Sequence, residues 1–169
     1  LAVAVSADGS TIVAGSTAGD LGGAGALGDR DVFVRRYGAD GTLLSTWQLG
    51  SALEDVANAL RVRSDGTIVV GGSTRGMLGT ATPAGDADAF VLLLAADGTT
   101  LLTDVMGTTA SESVRALVIA SDSGFVAAGT TSGDLAGALG DADAFVRAYD
   151  AAGAVAVAGQ FVDPLGEGR

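Results

Sequence analysis

The chain has 169 residues, with 20 acidic against 9 basic side chains, a formal net charge of −11, no cysteine and no histidine. That composition excludes disulfides, thiolate metal sites, cysteine nucleophiles and the Ser-His-Asp arrangement, and an acidic chain without lysine is a poor partner for nucleic acid, whose phosphates draw on clustered Lys and Arg. An apolar content of 48% is ample for a packed core, while no apolar run approaches the roughly 20 residues that span a bilayer as a helix, so membrane insertion is not expected of this segment.

The first predicted strand, a, reads Ala2-Val3-Ala4-Val5 and returns as Ala59-Leu60-Arg61-Val62 and Ala116-Leu117-Val118-Ile119. Alternation of period two puts Val3, Leu60 and Leu117 on one face beside Val5, Val62 and Ile119. The turn that follows, Asp8-Gly9, Asp65-Gly66 or Asp122-Ser123-Gly124, is a hairpin signal. It also sets a period of 57 residues, which Gly15, Gly72 and Gly129 keep, as do Thr17, Thr74 and Thr131.

Strand b, Thr11 to Gly15, Ile68 to Gly72 and Phe125 to Gly129, is apolar without a break and predicts burial on both faces. A glycine-rich loop comes next, running from Ser16 to Asp29, Ser73 to Asp86 and Thr130 to Asp141. Loops of that length in a compact domain are often where binding happens. The loop ends in a repeated motif, Gly28-Asp29-Arg30-Asp31-Val32-Phe33-Val34, Gly85-Asp86-Ala87-Asp88-Ala89-Phe90-Val91 and Gly140-Asp141-Ala142-Asp143-Ala144-Phe145-Val146.

The motif opens strand c, which runs Val32 to Tyr37, Ala89 to Leu94 and Ala144 to Tyr149, with Phe33, Phe90 and Phe145 as core anchors. A second turn follows at Asp40-Gly41 and Asp97-Gly98, weakened to Ala152-Gly153 in the third unit. Strand d, Leu43 to Leu49, Leu101 to Met106 and Val155 to Phe161, is the least regular, as suits an edge strand.

Three units, 1–57, 58–114 and 115–169, each of four antiparallel strands and none with helical periodicity, give an all-β fold and read as β-propeller blades. The run Ala59-Leu60-Arg61-Val62, the Asp65-Gly66 turn, Thr67-Ile68-Val69-Val70-Gly71-Gly72-Ser73-Thr74, the Gly85 to Val91 motif and Ala96-Asp97-Gly98 together resemble the bacterial β-propeller repeats abbreviated SBBP. The resemblance extends over all three units. It implies a secreted or cell-surface bacterial protein in which the repeats are non-catalytic scaffold or protein-interaction modules. Two departures stand out: the aromatic residue that the family places late in strand d is present only as Trp47, with Asp104 and Gly159 at the same phase, and the third unit's second turn lacks its Asp. Because a closed propeller normally takes four or more blades, three imply a segment of a longer chain, an oligomer or an open array.

Several residue sets are candidates for a site. The paired acids Asp29/Asp31, Asp86/Asp88 and Asp141/Asp143 offer hard oxygens beside glycine-rich backbone, the kind of ligand calcium takes, or else tie the loop to strand c through turn amides. Asp55, Glu112 and Glu167, one acid per unit just before strand a, are placed for a charged ring or for inter-blade hydrogen bonds. Arg35, Arg36 and Arg147, with Tyr37 and Tyr149, and Arg61 and Arg63 read as bridges to the plentiful Asp or as stacking groups for a glycan. The glycine-rich pieces Gly22-Gly23-Ala24-Gly25 and Gly71-Gly72 lack the lysine and the following helix of a phosphate loop. Nothing in the chain assembles an enzyme, so protein partners or self-association, with glycan or calcium as the alternative ligands, are the expected business of the molecule.

Overall fold

The computed structural model describes residues 1–21, 26–135 and 143–161. Twelve strands fall in three four-stranded antiparallel sheets, each a simple meander in chain order. Sheet 1 holds β1 (Ala2–Val5), β2 (Thr11–Thr17), β3 (Asp31–Tyr37) and β4 (Leu43–Leu49). In sheet 2 are β5 (Asp55–Val62), β6 (Ile68–Thr74), β7 (Asp88–Leu94) and β8 (Thr100–Met106), and in sheet 3 β9 (Glu112–Ile119), β10 (Phe125–Thr131), β11 (Asp143–Tyr149) and β12 (Val155–Phe161). The all-β reading and the four strands per unit hold. Strand a, however, starts earlier than its apolar run in sheets 2 and 3, at Asp55 and Glu112, because a bulge between Ala57 and Ala59, or facing Ala128 and Gly129, lets pairing continue past the alternation. The repeat limits 57/58 and 114/115 therefore fall inside β5 and β9.

Each hairpin turn is built the same way. Gly9 N–H donates to Ser6 O and Ser6 N–H to Ser10 O, with Gly9 at φ 82°. This is a three-residue loop that closes on a left-handed residue, not a two-residue turn. The turn aspartate caps it from below: Asp8, Asp65, Asp40 and Asp97 each accept a backbone N–H two residues on, at 2.9 to 3.0 Å. In the third unit's second turn, where the equivalent position is Ala152, Asp150 takes over by accepting Ala154 N–H at 2.8 Å.

The sheets pack face to face. Call front the side of a sheet toward the preceding one, and back the side toward the next. The back of sheet 1 (Ala2, Ala4, Ile12, Ala14, Val32, Val34) meets the front of sheet 2 (Leu60, Ile68, Val70, Phe90, Leu92, Leu94) in one apolar cluster. A second cluster joins Ala59, Val69, Ala89, Val91, Leu93 and Met106 to Leu117, Phe125, Ala127, Phe145 and Tyr149. Sheet 2 is thus covered on both sides, and every residue of β7 is buried. Strand b of sheets 1 and 3 is an equally unbroken apolar run, yet only one of its faces is covered: β10 alternates buried and half-buried positions along most of its length.

Candidate functional site at the sheet junctions

In its first two copies the Gly-Asp-x-Asp motif lies where one sheet hands over to the next, and its residues have separate tasks. Gly28 and Gly85 press against the linker to the following sheet: a Cβ would fall 2.3 Å from Ser51 O and 2.1 Å from Thr108 O respectively. The carbonyl at the third position, Arg30 or Ala87, accepts the N–H of Asp55 at 2.7 Å or Glu112 at 2.6 Å, which stitches the entry of strand c to strand a of the next sheet.

The second aspartate is buried in all three units, Asp31 and Asp88 completely. Asp31 accepts Leu27 N–H at 2.8 Å and Gln48 Nε2–H at 2.7 Å, Asp88 accepts Ala84 N–H, and Asp143 accepts Gln160 Nε2–H at 2.7 Å. The other oxygens of Asp31 and Asp88 lie against the bare backbone of Gly50 and Gly107 and have no hydrogen-bond partner. Desolvation by burial, aided by the Glu112 carboxylate, pushes the Asp88 carboxyl above its ordinary pKa even though backbone amides oppose the shift.

The first aspartates do not join the second ones. Residues two apart share a face only within a strand, and Asp29 and Asp86 precede β3 and β7. Instead they are exposed at an open recess of about 680 Å³ between sheets 1 and 2, lined also by Arg30, Leu53, Glu54 and Arg75. Arg75 reaches Asp86 at 3.1 Å and Glu54 at 3.6 Å, and Arg30 reaches Glu54 at 3.7 Å. Two guanidinium groups among the carboxylates do not make the all-oxygen shell that calcium takes. Among the described residues no group of three or more acidic side chains is placed to hold a metal ion. Asp141 lies outside the described residues.

Asp55 and Glu112 are buried to 0% and 1% exposure, so neither faces solvent as a charged ring requires, and Glu167 lies outside the described residues. They serve the linkers instead. Asp55 accepts Ser51 N–H, and Glu112 accepts Thr108 N–H at 2.7 Å together with the hydroxyls of Thr108 and Thr131, both at 2.8 Å. Burial raises the pKa of Asp55, with a smaller contribution from the nearby Asp31 carboxylate.

The arginines follow the bridging reading at two places. Arg36 pairs with Asp8 within sheet 1. Between sheets 2 and 3, Arg147 Nε lies 3.4 Å from Asp104, which also accepts Tyr149 O–H at 2.7 Å. Tyr149 is 3% exposed and stacked on Phe125, with ring centroids 4.4 Å apart, and so presents no face to a sugar; burial and the Asp104 contact raise its pKa. The Arg63 guanidinium lies over the Phe125 ring, 5.3 Å from its centroid, and donates to Ala151 O at 2.9 Å. Arg35 donates to Leu21 O at 3.5 Å, and Arg61 donates to Leu60 O next to it.

Sequence reasoning missed the glutamines. Gln48 and Gln160 hold the b–c loop by accepting Leu21 N–H at 3.0 Å and Leu135 N–H at 2.8 Å while donating to the buried aspartate of strand c. A signal was present, since both occupy one phase of strand d, but Val105 breaks it in the middle unit. The loop segment 22–25 lies outside the described residues.

No family model matches the chain. Over 135 residues, 70% of its length, it is 34% identical to a protein described as regulatory protein FlaEY from Caulobacter vibrioides, and it spans 14% of that protein.

Proposed function

We propose that the three sheets are consecutive blades of a β-propeller segment, as the likeness to SBBP repeats implies, and that the segment is a non-catalytic structural or protein-interaction module of a secreted or cell-surface bacterial protein. The observation that carries this reading is the use made of the polar side chains at the junctions. Asp31, Asp55, Asp88 and Glu112 are all buried and all engaged with backbone amides, the first and third with the loop of their own sheet and the other two with the linker between sheets, so the repeated acids of the chain serve its architecture. The regulatory description of the Caulobacter vibrioides protein supports a role exercised through other macromolecules.

Three measurements test the proposal. An experimental structure should relate successive sheets by rotation about one common axis, and sheets stacked without such an axis would overturn the propeller. Protease added to intact producing cells should cleave the module. Full protection, or turnover of polysaccharide by the purified chain, would remove the surface placement or the non-catalytic role respectively.

A further inference from the structure

The two outer faces of the three-sheet stack carry the same apolar positions that are buried at its two internal interfaces. On the front of sheet 1, Val3 and Val5 are 64% and 69% exposed and share their face with Val13 and Phe33. One period later these positions are Leu60, Val62, Val70 and Phe90, which pack on the back of sheet 1. On the back of sheet 3, Val157 and Phe161 are 61% and 58% exposed beside Val126 and Val146. Their counterparts one unit earlier are Leu102, Met106, Val69 and Val91, which pack on the front of sheet 3.

A second, independent feature marks the front of sheet 1. In each covered sheet the glycine of the c–d turn is overlaid by a side chain from the preceding sheet. A Cβ on Gly98 would fall 2.0 Å from Trp47 Nε1, and one on Gly153 would fall 3.0 Å from Leu102 Cδ2. At Gly41, the equivalent in sheet 1, nothing among the described residues lies within 4 Å.

We propose that the back of sheet 3 receives the front of sheet 1 from a second copy of this chain, head to tail, in the sense in which sheet 1 meets sheet 2 and sheet 2 meets sheet 3. This rests on the module reading above and names its partner. The occupant follows from the internal interfaces, which show what an apolar back face of this repeat accepts: the Val-, Leu- and Phe-bearing front of another sheet of the same kind. One chain carries both halves, so the contact is heterologous and each copy offers one of each face. Apolar faces of this kind on a soluble chain mark interaction sites.

Light scattering and sedimentation on the full chain test this. The mass should rise with concentration above the 16.4 kDa of one chain. Val3→Asp, on the front, and Val157→Asp, on the back, should each hold the chain at one copy, with an unchanged far-UV circular dichroism spectrum because both positions are exposed. An equal mixture of the two variants should form a one-to-one complex, since each retains the face that the other lacks. Val5→Asp and Val118→Asp repeat the experiment should either of the first pair lose its spectrum. Added salt should strengthen the association, because it screens the repulsion of two chains of −11 while leaving apolar contact intact.

Three results would overturn the docking: a native chain that stays at one copy throughout, one variant that abolishes association while the other leaves it whole, as like-face pairing requires, or a mixture that does not associate. The first of these leaves the propeller-segment reading standing, which the common rotation axis of successive sheets tests by itself.

Discussion

Single residues in this molecule are chosen by backbone geometry before chemistry. Ser123 stands at the phase of Gly9 and Gly66 and adopts φ 67° where they adopt 82° and 85°. A side chain in the left-handed region is disfavoured by about 1 kcal/mol, so Ser123→Gly is expected to stabilise the chain by roughly that amount, offset in part by the freer unfolded state of glycine, and chemical denaturation checks it. Gly72 makes the opposite case. A Cβ there would fall 1.8 Å from Val56 O and 2.9 Å from the Phe90 ring. Neither the strand bulge nor the buried ring has room to give, so Gly72→Ala should cost about 1–3 kcal/mol by overpacking, and an unchanged melting temperature would refute the contact.

At the scale of elements, the same residue type has a different worth on each sheet. Phe90 is fully buried between sheets 1 and 2, whereas Phe33, one period earlier, stands half-buried on the open front of sheet 1. Phe90→Ala should lose about 3–5 kcal/mol through the lost burial and the cavity left behind. Phe33→Ala should lose less than half of that in dilute solution, and equal losses would show the two faces to be equally covered. The strand starts set the pH response. Asp55 and Asp88 have raised pKa values because burial penalises their charge. A carboxyl raised above its unfolded value of 3.8 contributes stability that is present below that value and lost as pH rises through the folded one. The turn aspartates act in reverse: hydrogen bonds from Ser10 hold Asp8 down at about 2, and those from Thr42, Thr67 and Thr99 lower Asp40, Asp65 and Asp97, so their contribution fades only as pH falls below the ordinary carboxylate range. The melting temperature should therefore rise from pH 7 into the weakly acidic range and fall again in stronger acid. Asp55→Asn, which keeps an acceptor for Ser51 N–H, should flatten the rise, and a variant with an unaltered profile would show that Asp55 is not its source.

For the molecule as a whole, stability and the proposed association of copies draw on one repeated interface. Two copies of it are closed inside the chain, and the two outer faces present its separated halves. Substitutions on those outer faces should accordingly act on the concentration dependence of mass more than on the unfolding of a single chain, as stability is approximately a sum of terms within each unit and between neighbours in such arrays. The net charge of −11 opposes close approach of copies, so the proposed association should depend on salt.

Much of this was legible in the sequence, because the information was local and stated three times. The twelve strands, their antiparallel order and the six turns follow from alternation and from Asp-Gly pairs at a fixed step, and even the weakened sixth turn was readable from Ala152. The site was legible only in part: that the second aspartate ties loop to strand was one of two readings the spacing allowed, and in the structure Asp31 and Asp88 each accept a backbone N–H of the loop before them. What tertiary structure alone determined is which faces are covered. Strand b has the same apolar run in all three units, but only sheet 2 has a neighbour on each side, and burial belongs to a residue's surroundings and not to its side chain. For the same reason Asp29 and Asp31, two positions apart in the chain, part company, the first to the rim of an open recess, the second to a buried junction.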